Sequence, residues 1–430
     1  MFKMSYAPQS TWTKVEPLGI EMHARAWFGP RTDRSPIVMV HGLGLSSRST
    51  VPLGRRLAAR GYDVLAPDMP GFGKSPKPAG AKQPAGPNVR EQADQLLMWM
   101  DACGISRATL FGNSVGSQVV TDLAVRFPHR VDRLILKGPA PDPKYRNFPT
   151  QYARAMINMP YEAPSFNAVL QLEYSSGGMV RMVQHGIRTV DDRIETKLPH
   201  VQARTLVIRG ENDKALSQEW AEEVARLLPD SRMAVIHGAA HNVQYTAPEV
   251  TARLMDQFLH GRLDDAATRS DNAVPRLDPT KRNDPLAPPK PLSSLAHGIG
   301  DVVASALYFI LPRLVRSGPR TRQLMTMTGA VGTTLSLCTD YECGVVKKVP
   351  LPVHLNADVG IGLKLMIIPA TLLRGEPLPG RLAMAAMGAF ELLSVATTRI
   401  PTGPARLVPV ARPARLQEAL NEANALAAAT

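Results

Sequence analysis

The sequence predicts an α/β domain with a parallel sheet covered by helices on both faces, followed by an all-α tail. Three observations carry that expectation. Between Ser35 and about Leu259, the runs "PIVMVHG", "DVLAPD", "ATLFGNS", "RLILKG", "RTLVIRG" and "RMAVIHG" alternate with helical patterns. These runs are nearly continuous in apolar residues, as strands buried on both faces are. Beyond residue 291 the composition shifts to long apolar segments of helical length.

The elements follow in order. "VPLGRRLAARG" and "NVREQADQLLMWMDACG" carry apolar residues at helical spacing and read as covering helices. Some sixty residues between Pro139 and Gln202 contain helical segments and no clear strand. An insertion there, at the carboxyl end of a strand, predicts a helical lid over about residues 140–203. The α/β domain is thus expected to span 1–262. "HGRLDDAATRSDNAVPRLDPTKRNDPLAPPKP" is too polar and proline-rich to form a core, which makes 263–291 a flexible linker. Residues 292–400 then hold four apolar helical segments, and 401–430 are left as a C-terminal tail. The four segments are duplicated. His297, Asp301 and Pro312 recur at the spacing of His354, Asp358 and Pro369, and each set leads to a second segment containing Gly329-Ala330 or Gly388-Ala389. A helix pair repeated twice accounts for this.

Bulk properties bound the function. A chain of 430 residues is long for one core, so two domains are expected. The 50 Lys and Arg against 37 Asp and Glu leave a net charge of +13. The basic residues are scattered and aromatics make up 5%, so nucleic acid is excluded as a partner and an anionic membrane surface fits better. Cys103, Cys338 and Cys343 make neither a disulfide framework nor a zinc site, which points to a reducing compartment. The stretch "MFKMSYAPQSTWTKVEP" has no apolar core of signal-peptide length, so the α/β domain is expected in the cytoplasm.

The chemistry centres on "FGNSVG", Phe111 to Gly116. A strand delivering Gly112-Asn113-Ser114-Val115-Gly116 into a helix fits the nucleophile elbow G-x-S-x-G; the alternative is a serine N-cap on an ordinary helix. "GENDKALS" places Asp213 at the end of a later strand, and "HGAAHNVQYTAPEV" places His241 in the loop after the next. With "HGLG" at His41 to Gly44 and "DMPGFGKS" from Asp68, the region 35–259 resembles the α/β-hydrolase family. The resemblance implies Ser114 as nucleophile, His241 as its base and Asp213 as the group that orients the imidazole. It implies an oxyanion hole from the backbone N–H groups of Leu43 and Val115. No cofactor and no metal are implied. A serine at the elbow excludes relatives with an aspartate nucleophile. Attack on an activated carbonyl remains: ester, thioester, lactone, amide, or a C–C bond beside a ketone. "GNS" is also similar to the elbow of C–C bond hydrolases, which stays as the alternative.

Other polar residues read more simply. His41 is expected to be a structural hydrogen-bonder, His237 a strand-end residue, and Asp68 a tie for the turn "DMPGFG". Lys137, at the end of its strand, could face the pocket and favour an anionic substrate.

The tail segments lie at the margin for membrane spans, which need about 20 apolar residues. Asp301, Asp358, Lys364 and Glu391 interrupt them, as charges facing a bundle interior do. His297 with Asp301 and His354 with Asp358 each lie one helical turn apart and share a face. Internal hydrogen bonding between helices is the simple reading, and a metal or proton site the sharper one. Residues 292–399 resemble small bacterial membrane proteins with an SPW repeat, with Pro312 and Pro369 lacking the Ser and Trp. Lys and Arg flank every segment on both sides, so charge gives no orientation. The expectation is a membrane-tethered serine hydrolase acting on a small lipophilic acyl substrate. The rival is a membrane protein whose α/β domain only binds a ligand or partner. Oligomeric state is not legible.

Overall fold

The computed structural model describes residues 6–29, 34–78, 86–177, 179–263 and 290–410. The linker expected over 263–291 falls almost wholly outside the described residues, as does the tail beyond 410. The chain divides into two compact units, one of Met1–Met159, Ala168–Arg282 and Thr402–Thr430, the other of Pro160–Asn167 and Asn283–Pro401.

The first unit is built on a nine-stranded sheet. In chain order its strands are β1 (Gln9–Val15), β2 (Ile20–Trp27), β3 (Ile37–Val40), β4 (Val64–Pro67), β5 (Ala108–Asn113), β6 (Val131–Lys137), β7 (Thr205–Gly210), β8 (Ser231–Ile236) and β9 (Ala405–Val408). Their spatial order is β1-β2-β4-β3-β5-β6-β7-β8-β9. The six strands from β3 to β8 are parallel, while at the flanks β2 pairs antiparallel with β4, β1 antiparallel with β2, and β9 antiparallel with β8. All six strands expected from the sequence are these parallel ones. Alternate residues enter two separate cores. Val38, Val40 and Leu110 pack with α2 (Val89–Ala102) and α3 (Val115–Arg126). Ile37, Met39 and Phe111 pack on the other face with α1 (Val51–Ala59) and α10 (Pro248–Leu259). The start of α2 is fixed by a capping box in which Glu91 N–H donates to Asn88 Oδ1 and Asn88 N–H to Glu91 Oε2.

The flanking strands were not expected. β2 reads "IEMHARAW", and its His23 and Arg25 break the apolar run because they serve hydrogen bonds rather than the core. β9 lies inside the segment assigned to the tail. Four residues of it pair with Met233 to Ile236 of β8 and close that edge of the sheet. The unit therefore starts before the helical tail and finishes after it.

The regular elements of the insertion between β6 and β7 are helices, with no strand among its described residues: α4 (Phe148–Asn158), α5 (Pro164–Gly177), α6 (Met179–Val190) and the short α7 (Ile194–Lys197), joined by short turns. Between β7 and β8 lies α8 (Gln218–Leu227), and α9 (Val243–Thr246) precedes α10.

The second unit contains α11 (Ser294–Leu314), α12 (Pro319–Cys338), α13 (Leu351–Thr371) and α14 (Leu378–Thr397). α11 packs on α12 and α13 on α14, the two repeats. Matching glycines permit both crossings. A Cβ on Gly329 would lie 2.7 Å from Tyr308 Cβ, and one on Gly388 would lie 2.6 Å from the Gly362 carbonyl oxygen. The apolar and polar sides are inverted relative to the first unit. Val302, Ile310, Val331, Ile367, Leu382 and Leu393 are exposed, whereas His297, Asp301, His354, Asp358 and Glu391 are buried. α11, α13 and α14 are long and apolar enough to cross a membrane. α12 falls short because its first turn is "PRTRQ", so the four expected spans reduce to three candidates by length and composition.

Candidate active site

Ser114 sits where β5 hands over to α3, with φ 55° and ψ −116°. Among the described residues only Ser114 and Lys347 are non-glycines with positive φ. Such a conformation costs of order 1–3 kcal/mol and is retained where the surroundings over-determine it. Here they do. A Cβ on Gly112 would lie 2.5 Å from Ser117 Cα, and one on Gly116 would lie 2.5 Å from the Val40 carbonyl oxygen. Ser114 N–H donates to the Lys137 carbonyl (2.8 Å), and Ser117 N–H to the Ser114 carbonyl (2.8 Å). The serine does not cap its helix through its side chain, so the N-cap reading fails.

Asp213 and His241 come from adjacent loops that are stitched together. A Cβ on Gly210 would lie 2.0 Å from the Ala240 carbonyl oxygen, and Asn212 N–H donates to the Ala239 carbonyl. His241 Nδ1 then lies 2.7 Å from Asp213 Oδ2, while Leu216 N–H donates to Oδ1 at 2.8 Å. A carboxylate only accepts, so Nδ1 carries the proton and Nε2 keeps its lone pair. Burial pushes the Asp213 carboxyl up, but the charge and hydrogen bond of His241, with Lys137 and Arg209 behind, outweigh it and hold it below the usual carboxylate range.

Two cations brace this pair, and the sequence reading missed their roles. Arg209 donates from Nη1 to the Gly210 carbonyl and from Nη2 to those of Asp213 and Leu216, gathering the Asp213 loop around one guanidinium. Lys137 is fully buried, and its ammonium donates to the His241 carbonyl. The expectation that it faces an anionic substrate is corrected by that contact. Neither role has a local signal, because each joins residues distant in sequence. Gly138, with φ 54°, lies against the imidazole: a Cβ there would be 2.7 Å from His241 Cε1.

The "HGLG" loop faces Ser114, and a Cβ on Gly42 would lie 3.3 Å from Ser114 Cβ. His41 holds it. Met69 N–H donates to His41 Nε2 (3.1 Å), so Nδ1 carries the proton and donates to the Gly42 carbonyl (3.0 Å). Burial lowers the His41 pKa and keeps the ring neutral for both bonds. No backbone carbonyl among the described residues takes the N–H of Leu43 or Val115. For Val115 this follows from its place as first residue of α3. Asp68 ties its turn as expected: Lys74 N–H and His23 Nδ1 donate to Oδ2, and Ser47 N–H to Oδ1. His237 pairs with Glu211 at the surface.

The lid closes over the loop. Side-chain atoms of Tyr174 and Met182 lie within 3 Å of where a Gly44 Cβ would be, and Leu43 Cδ2 lies beside Gly186. Phe72 touches both His41 and His185, ring centroids 5.5 and 4.9 Å apart. Asn113, fully buried beside Gly42, has neither amide atom paired.

Residues 35–167 match the family model described as alpha/beta hydrolase fold, and residues 186–270 one described as TAP-like protein. The matched region, within residues 35–270, belongs to the α/β-hydrolase family. It is similar to the 2-hydroxymuconate semialdehyde hydrolase of Pseudomonas putida, 26% identical over 247 residues, which are 52% of this chain and 86% of that one. A 2-hydroxy-6-oxo-2,4-heptadienoate hydrolase of Pseudomonas putida is 25% identical over 253 residues, covering 52% and 89%. The esterase YbfF of Escherichia coli is 25% identical over 248 residues, covering 53% and 94%. With such relatives this α/β-hydrolase is an enzyme, and the similarity covers about half its length.

Proposed function

We propose that the chain is a membrane-tethered serine hydrolase that cleaves an ester or related acyl bond of a small lipophilic substrate. The observation that carries this reading is the 2.7 Å contact that fixes the His241 Nδ1–H on the buried Asp213 carboxylate and leaves Nε2 of the neutral ring free to act as a base. In this reading Nε2 takes the Ser114 proton as Oγ attacks the carbonyl carbon. The tetrahedral oxyanion is held by the Leu43 and Val115 N–H groups, each worth about 3–4 kcal/mol. His241 then returns the proton to the leaving group, giving an acyl-enzyme that water hydrolyses through the same base. Phe72, Leu43, Tyr174 and Met182 around the loop favour an apolar acyl group. Labelling by a fluorophosphonate that Ser114→Ala abolishes is the direct test. Labelling that survives the substitution overturns the assignment.

One observation favours a second reading, cleavage of a C–C bond next to a ketone. The buried unpaired amide of Asn113 could bind a polar substrate group, and two of the relatives named above are hydrolases of keto-dienoates. Turnover of such a compound in preference to short esters would select it.

Membrane tethering is supported by three apolar helices and their exposed aliphatic faces. The hydrolase unit would then lie on the cytoplasmic side.

A further inference from the structure

Both repeats of the helical unit bring a histidine and an aspartate to one buried point. His297 and Asp301 come from α11, His354 and Asp358 from α13, and one ligand atom from each lies within 4.8 Å of all the others. The four residues are 0, 7, 1 and 5% exposed, respectively. Each histidine faces the aspartates of both repeats. His297 Nε2 is 3.4 Å from Asp301 Oδ1 and 3.4 Å from Asp358 Oδ2, and His354 Nε2 is 3.1 Å from Asp301 Oδ2 and 3.0 Å from Asp358 Oδ2.

The outer nitrogens fix the tautomers. Thr339 Oγ1 donates its one proton to the Leu335 carbonyl and lies 2.7 Å from His354 Nδ1, so it accepts there and Nδ1 carries the hydrogen. On the other repeat, Ser394 Oγ and Thr398 Oγ1 both lie 2.8 Å from His297 Nδ1, and Thr398 Oγ1, whose proton goes to the Ser394 carbonyl, accepts there. A neutral ring so held points a bare Nε2 lone pair at two carboxylates. Neither Nε2 nor Asp358 Oδ2 has a hydrogen-bond partner. Two imidazole nitrogens and two carboxylates thus converge in a bundle interior, an arrangement whose negative charge a cation must offset.

We propose that these four residues bind one divalent transition-metal ion of the Zn²⁺ class, a site separate from Ser114 and independent of the hydrolase reading. Bonds of about 2.0–2.1 Å place neighbouring ligands of a tetrahedron about 3.3 Å apart, close to the four nitrogen–oxygen separations observed. Two carboxylates neutralise the ion, so an uncharged centre lies within the apolar helices. Two imidazoles select against Ca²⁺ and Mg²⁺, which take oxygen ligands. The hydroxyls of Thr339 and Thr398 on the Nδ1 atoms, and of Tyr341, which donates to Asp301 Oδ2 at 2.9 Å, are the outer partners that orient metal ligands.

The test uses the full chain in detergent, stripped with a chelator and dialysed against Zn²⁺ or Co²⁺. One Zn²⁺ per chain by elemental analysis, and the intense visible bands of four-coordinate Co²⁺, are expected. Asp358→Asn should weaken Zn²⁺ binding about a hundredfold and Thr339→Val about tenfold, with helical content retained by circular dichroism. A folded wild-type chain that takes up neither ion in stoichiometric amount overturns the proposal. So does an Asp358→Asn chain that binds Zn²⁺ as tightly as wild type. Two buried histidine–aspartate ion pairs would then be the content of the site.

Discussion

Lys137 joins the two residues on which hydrolysis is proposed to depend: its carbonyl accepts the Ser114 N–H, and its buried ammonium donates to the His241 carbonyl. Lys137→Met keeps the first bond and removes the second. Among the described residues the His241 carbonyl then keeps only the Val243 N–H, at 3.2 Å; losing a charged donor costs about 1.5–3 kcal/mol, and the His241 loop is the element that relaxes. The expected result is a kcat about tenfold or more below wild type with KM little changed, counted per fluorophosphonate-titrated site. A purely structural role would lower the number of titratable sites and leave kcat per site unchanged.

Asp213→Asn should lower kcat by about 10⁴, because an amide can stabilise the wrong imidazole tautomer. His241→Ala should be about equally damaging, and adding Ser114→Ala to it should change little further. Additive losses in the double variant would show that serine and histidine do not act together.

Asp68 sets an acid limit on stability. Burial raises its pKa, but the hydrogen bonds from His23, Lys74 and Ser47 outweigh this and hold it at about 2, against 3.8 for the free side chain. The folded value lies below the unfolded one, so its stabilisation is complete above about pH 4 and is lost as pH falls toward 2. The shift corresponds to about 2 kcal/mol. Asp68→Asn should destabilise the hydrolase unit at neutral pH and flatten this limb of the unfolding free energy against pH. An unchanged limb would remove Asp68 from the account.

The full chain should sediment with membranes, resist carbonate and high salt, and be released by detergent. Replacing residues 290–401 by a short flexible linker should give a soluble enzyme active on a short ester, since β9 is kept. Ending the chain at Leu263 instead strips β9 from β8 and exposes an apolar edge strand, so that version should be less stable and prone to associate. Full-length protein that stays soluble without detergent would contradict the membrane assignment.

The parallel strands, the elbow and the helical lid were legible because each has a local pattern: an apolar run, paired glycines, or helical spacing. β2 was not, because His23 and Arg25 answer to Asp68 and Ser47, far away in sequence. β9 is four residues long and gains its place only from the β8 edge. Lys137 and Arg209 carry no motif; a buried cation at a strand end becomes informative only once its carbonyl partners are known. The repeat of His297 and Asp301 was visible, whereas the convergence of the two copies depends on helix packing.

The return of the chain to its own sheet constrains how it is threaded. β1 and β9 are strands of one sheet, so residues 9 and 408 must lie on the same side of any bilayer. The crossings between them are therefore even in number. If the chain spans a membrane as proposed, three apolar helices do not license three passes: either α12 completes a set of four despite its polar first turn, or one of the three stays out and the chain makes a single hairpin through the lipid. In the four-pass arrangement the loops after α11 and α13 lie on the same side, as the duplicated helix pair would generate by itself.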